Sequence, residues 1–152
     1  QKLAGCVSFL QQAGLLPAEV TAEQREFVSQ AIVALGDRLK IFSDILSTRF
    51  LFSDEYPVDD KNYEKRVRKP GIAAHLRAFA QRIAARQPWS VPGLEAELAA
   101  YCQETGLAAG DLIHALRLAT TGQPVGPGVY DCLVLLGPEK TLARLERAAS
   151  EA

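Results

Sequence analysis

The spacing of the apolar residues constrains this chain more than any other feature. After Thr21, residues Phe27, Val28, Ala31, Ile32, Leu35, Leu39, Phe42, Ile45 and Leu46 recur in steps of three and four, one stripe along a helix. Thr21 and Gln24 stand at the spacing of a capping box, in which each side chain satisfies a backbone N–H of the first turn. The pattern predicts one helix of about 25 residues. Gly36 interrupts it at about 1 kcal/mol relative to Ala, so a bend or a close helix contact is expected there. Strict two-residue alternation is nowhere sustained, which removes the strand-built classes.

The helical period returns after each interruption. Residues 53–60 are acidic, contain Pro57 and read as an irregular loop. Residues 61–69 form a short helix stopped by Pro70 and Gly71. Leu76, Phe79 and Ile83 then carry a helix over 72–86. Leu94, Leu98 and Tyr101 mark the next, closed by Gly106, and Leu112, Ile113, Leu116 and Ala119 mark another, ending at Gly122. Beyond the turn GQPVGPG, Pro127 starts a helix holding Val129, Leu133 and Leu136, which stops at Gly137; Pro138 opens the last. The expected fold is all-α, with two small helical subdomains at 1–88 and 89–152 divided near Trp89, Pro92 and Gly93.

A length of 152 residues with 48% hydrophobic and 23% charged content builds a core without metal or disulfide help. No apolar run reaches eighteen residues, and the opening QKLAGCVSFLQQAGLL is too short and polar for a span or a signal peptide. A cytoplasmic protein with no membrane partner is expected, and a monomer. Cys6, Cys102 and Cys132 are an odd number without a CxxC pair, which fits reduced buried thiols better than zinc or disulfides. His75 and His114 sit among small apolar residues and read as structural rather than metal-binding. The GQPVGPG turn lacks the Lys and hydroxyl residue of a phosphate loop, and its prolines remove donors. It reads as a rigid turn presenting Pro127 and Val129 as an apolar surface, to stack on an unpaired base or cap the core. No group of residues resembles a catalytic constellation.

Charge carries the remaining signal. The net charge is −1, yet residues 61–86 hold eight basic residues and one acidic, Glu64. Such a run usually solvates a helix face. Arg38 and Arg117 are more telling, because both lie on or beside apolar stripes, where an unpaired guanidinium is costly. Either an acid such as Asp37 or Asp44 pairs with Arg38, or it borders a groove and awaits a ligand. A planar guanidinium that stacks on a base and donates to its edge suits a protein reading unpaired bases.

Five blocks then appear in order: DRLKIFSDIL at 37–46, FLFSDEYPVDDK at 50–61, EKRVRKPG at 64–71, Trp89 followed by LEAEL at 94–98, and HALRLATTGQPVGPGVYDCLVLLGPEKTLARLER at 114–147. Together they resemble the C-terminal anticodon-binding region of bacterial glutamyl-tRNA synthetases, over essentially the whole chain. The HIGH-like and KMSKS-like strings of that family's catalytic half do not occur in these residues. The resemblance implies two helical subdomains that hold the anticodon loop of a tRNA, for glutamate or for glutamate and glutamine. It implies no cofactor in this region, the parent enzyme's ATP and Mg serving the missing half, and no aminoacylation by this chain alone. Carried over by position, Arg38 matches the arginine at the first anticodon base and Arg117 the one near the middle base. Gly126, Pro127 and Val129 match the segment packed against the middle and third bases. Lys65, Arg66, Arg68 and Lys69 are assigned to backbone phosphates. The chain departs from the pattern at Ala115, where a Pro commonly precedes the Leu-Arg pair, at Gly126, a hydroxyl residue in some members, and at Ala99, an Arg in some. These weaken the third-base contacts. The competing expectation is a helical protein–protein or structural module, suggested by the near-neutral charge and the long apolar stripe. A first residue of Gln and an uncapped opening helix suggest a chain cut from a longer one.

Overall fold

A computed structural model describes residues 2–86 and 88–151. Its elements are α1 (Lys2–Gln12), α2 (Ala22–Leu35), two 3-10 turns (Gly36–Arg38 and Phe42–Thr48), α3 (Arg49–Phe52), α4 (Asp60–Arg66), α5 (Ile72–Ala84), α6 (Val91–Thr105), α7 (Ala109–Thr121) and α8 (Val129–Glu151). No strand occurs among the described residues, and no helix there is long and apolar enough to cross a membrane. The chain is all-α. It divides into two compact units, Gln1–Tyr56 with Gly126–Gly128, and Pro57–Val125 with Val129–Ala152.

In the first unit α1 and α2 pack on each other and on the longer 3-10 turn. The Thr21 hydroxyl accepts from the Gln24 N–H at 3.1 Å and the Gln24 side chain accepts from the Thr21 N–H at 2.9 Å, the capping box its spacing predicts. Leu10, Val28 and Ile45 are fully buried, each side chain contributing about 1.5–3 kcal/mol by leaving water. The expected 25-residue helix does not form. Helix α2 ends at Leu35, where Gly36 turns to φ +53° and ψ −123°, a conformation a glycine adopts without strain. The apolar stripe nevertheless continues, because the second 3-10 turn advances three residues per turn and buries Ile45 and Thr48 at nearly helical spacing. Gly5 permits the return: a Cβ there would overlap the Phe42 ring.

The second unit has one continuous core running from Tyr63 to Ala149, in which Leu76, Phe79 and Ile83 of α5 join Leu94, Leu116 and Leu133. Helices α5 and α7 pack on α8. The division therefore falls at Tyr56 and Pro57, not at 88/89, because α4 and α5 share this core with the later helices. Trp89 lies in the connection between α5 and α6 and donates from Nε1 to the Leu133 carbonyl at 2.8 Å. Helix α8 is broken at the point where the sequence expects one helix to stop and the last to open: Gly137 sits at the non-helical φ +85° and ψ +164°, and Pro138 brings no N–H to the turn before it, so Val129–Glu151 is two helical stretches joined at a kink.

Candidate nucleic-acid interface

Arg38 closes the short 3-10 turn that follows α2, and its side chain is exposed. Of the two acids expected to neutralise it, Asp37 makes no ion pair with it and Asp44 is otherwise engaged. Asp44 Oδ2 accepts from the Lys40 N–H at 2.7 Å and from the Ile41 N–H at 2.9 Å. These backbone bonds, first among the causes, hold the Asp44 carboxyl below its ordinary range. Arg38 has no hydrogen bond or ion pair to another described residue. Of the two alternatives its position allows, the structure shows the unpaired one.

The basic stretch of the second unit divides differently. Arg82 donates to Glu97 at 2.6 Å and to Glu104 at 2.7 Å, Arg86 to Glu97 at 2.7 Å, and Arg77 to Glu146 at 3.4 Å. Here the run mostly braces α5 against α6 and α8. Of the four residues expected at phosphates, Arg68 pairs with Glu64 at 2.9 Å and lies over the Tyr63 ring, while Lys69 pairs with Asp111 at 3.5 Å. Lys65 and Arg66 have no carboxylate partner among the described residues. Exposed pairs of this kind contribute about 0–1 kcal/mol, so neither carboxylate holds its cation strongly.

Arg117 lies half-buried on α7. Helix α7 packs on α8, where burial lifts the Cys132 thiol to about 12 and the Arg117 charge opposes that rise. The turn after α7 is tied down locally. The Thr121 hydroxyl donates to the Arg117 carbonyl at 2.8 Å and accepts from the Gln123 N–H at 3.2 Å. Of the two uses expected for the apolar residues Pro127 and Val129, stacking on a base or capping the core, Val129 takes the second: both side chains are buried, and Val129 enters the second unit's core at the head of α8. The exposed apolar side chain of the turn is Val125, at 72%. Gly126 and Pro127 group with the first unit and Val129 with the second.

Several contributors escape sequence reasoning. Arg144, 3% exposed, donates from Nη1 to the Thr120 carbonyl at 2.7 Å, filling one of the acceptors a helix C-terminus leaves open. The signal that picked out Arg117, an arginine among apolar neighbours, applies equally to Arg144 between Thr141, Leu145 and Ala148. The Asp59 N–H donates to the Gly122 carbonyl at 2.8 Å and Gln123 Nε2 to the Pro57 carbonyl at 2.9 Å, a clasp between segments far apart in sequence. No sequence signal marks it.

Among the described residues no group of His, Cys, Asp and Glu has the arrangement of a metal site. His75 Nδ1 lies 2.7 Å from the Tyr101 hydroxyl at the core edge, and His114 is exposed. All three cysteines are free thiols whose ionisation burial opposes, the reverse of what a nucleophile needs.

An all-helical chain whose cations are divided between internal braces and an exposed, unpaired Arg38 has the makings of an RNA-binding module, and comparison gives that class its family. Residues 6–149 match the anticodon binding domain, and the chain belongs to that family. Its curated relatives include glutamate–tRNA ligases. That of a Roseiflexus species is 36% identical over 151 residues, 97% of this chain and 30% of the relative. Those of Moorella thermoacetica and Thermus thermophilus are 33% and 34% identical over 93% and 92% of this chain. The chain thus spans less than a third of the length of the relatives it matches. A glutamate tRNA ligase of Elizabethkingia meningosepticum, solved with its amino acid, has the same fold over 97% of this chain and 28% of its own, with a TM-score of 0.81 at 22% identity.

Proposed function

We propose that this chain holds the anticodon loop of the glutamate tRNA on behalf of a glutamate–tRNA ligase whose catalytic steps take place elsewhere. The observation that carries the reading is Arg38, an exposed guanidinium with no ion pair, whose candidate partner Asp44 is bound to backbone instead. Unstacked loop bases offer edges to such a donor, and an arginine recognises them by geometry as well as charge. Arg38 meets the first anticodon base and Arg117 the middle one. Gly126, Pro127 and Val129 contribute through the backbone, since the side chains of Pro127 and Val129 are buried. Lys65 and Arg66 contact phosphates directly, and Arg68 and Lys69 do so by exchanging carboxylate for phosphate. These contacts set the salt dependence of affinity without base preference. By itself the chain does not aminoacylate, and ATP and Mg are the business of the remainder of the enzyme.

The test is a titration of the chain with glutamate tRNA, glutamine tRNA, and a glutamate tRNA whose anticodon is replaced. Tighter binding of the unaltered glutamate tRNA supports the reading; equal affinity for all three, or none, refutes base recognition. Steeper salt dependence than a Lys65→Ala, Arg66→Ala variant shows supports the phosphate assignment.

A further inference from the structure

Arg38 belongs to a short segment with few fastenings. Between the two 3-10 turns, Leu39 has left the helical conformation and Ile41 is extended at φ −129° and ψ 162°. The Leu39 N–H donates to the Gly36 carbonyl at 3.2 Å, and the next two amides, of Lys40 and Ile41, both end on Asp44 Oδ2. One carboxylate oxygen therefore sets the path of the chain immediately after Arg38. Asp44 is itself well placed: its own N–H donates to the Ile41 carbonyl at 3.0 Å, and Phe42 beside it rests where Gly5 has no side chain. What this latch holds outward is Arg38, Lys40 and Ile41, the last 64% exposed. Two cations and an apolar side chain on one fixed turn suit an unstacked base and its phosphate.

We infer that Asp44 is a positioning residue for anticodon recognition: by binding the Lys40 and Ile41 amides it fixes the turn from which Arg38 reaches the RNA. The inference rests on the proposed function and makes a prediction opposite in sign to simple electrostatics. An acid near an RNA-binding surface repels phosphate, so its removal should strengthen binding if charge were its only contribution. As a latch, its removal weakens binding. Asparagine keeps an oxygen that accepts both amides and discards the charge, which separates the two.

The experiment measures the affinity of the chain and of Arg38→Ala, Asp44→Ala, Asp44→Asn and Arg38→Ala/Asp44→Ala variants for glutamate tRNA and for the same tRNA with its first anticodon base changed. Unfolding midpoints are recorded alongside. Asp44→Ala is expected to weaken cognate binding about tenfold, the scale of one lost base contact, and to erode discrimination at the first base. Asp44→Asn restores both to within about twofold, and the double variant binds no more weakly than Arg38→Ala, as expected of residues acting through one contact. The inference is overturned if Asp44→Ala binds as well as or better than the unaltered chain, if Asp44→Asn fails to restore discrimination, or if the two substitutions add. Should the unaltered chain show no preference for the cognate anticodon, the proposed function fails first; a preference abolished by Arg38→Ala but untouched by Asp44→Ala removes this inference alone.

Discussion

Replacing Arg144 by Met tests how the end of α7 is held. The guanidinium is 3% exposed and donates from Nη1 to the Thr120 carbonyl at 2.7 Å. A hydrogen bond to a charged donor contributes about 1.5–3 kcal/mol, and a buried carbonyl left without its partner loses that much. Removing a buried cation also relieves its desolvation, which offsets part of the loss. Met retains most of the apolar stem, so the net destabilisation expected is about 1–2 kcal/mol. Ala deletes a further two or three methylenes at about 0.8 kcal/mol each, giving about 3–4 kcal/mol. The only tryptophan, Trp89, is bonded to the Leu133 carbonyl, so its fluorescence follows unfolding of the second unit in denaturant. Circular dichroism should report the same order, unaltered above Met above Ala, with thermal midpoints falling about 4–8 °C per kcal/mol. A Met variant as stable as the original refutes the reasoning, because Thr120 would then have no need of its donor.

Gly137→Ala introduces a side chain into open space at φ +85°, so backbone strain alone should destabilise the second unit by about 1–3 kcal/mol, read from the same fluorescence transition. Burial raises the Cys132 thiol from its ordinary 9.0 to about 12. The folded state then holds the proton more tightly than the unfolded one. That contribution to stability is complete below pH 9 and is lost as pH climbs towards 12, so denaturation midpoints in a Cys132→Ser background should lose part of this alkaline fall. Alkylation of Cys132 at pH 8 should likewise await unfolding, checked by mass spectrometry of the labelled peptide. Arg117→Ala should weaken cognate tRNA binding by about 1–3 kcal/mol and relax preference at the middle base, whereas an equal loss for every anticodon would make the residue a phosphate or folding contact.

Helices were legible where local rules decide them. Thr21 and Gln24 announce the start of α2, Gly106 and Gly122 close α6 and α7 at φ +78° and +79°, and the Gly-Pro pair marks the kink in α8. The break after Leu35 was hidden because a 3-10 turn buries residues at almost helical spacing, and Gly36 alone gives no measure of how far the chain turns. The unit boundary escapes the sequence for a related reason: Trp89, Pro92 and Gly93 punctuate the chain locally, but whether α5 shares a core with α8 depends on contacts between residues far apart in sequence. Among the site residues, Arg38 and Arg117 stood out by position on their stripes. Arg68 stands four residues after Glu64, the spacing of a helical ion pair that Arg66 lacks, whereas no spacing marks the pairing of Lys69 with Asp111. Pro127 and Val129 look like a turn's apolar face until α8 draws Val129 inward.

The central claim is that the guanidinium groups of Arg38 and Arg117 on this helical chain read an RNA loop, and nuclease or chemical protection of glutamate tRNA by the chain tests it most directly. Protection should be confined to the anticodon loop and disappear in the Arg38→Ala, Arg117→Ala double variant while the protein remains folded. Protection of the acceptor stem, or a loop footprint indifferent to both arginines, would contradict the account.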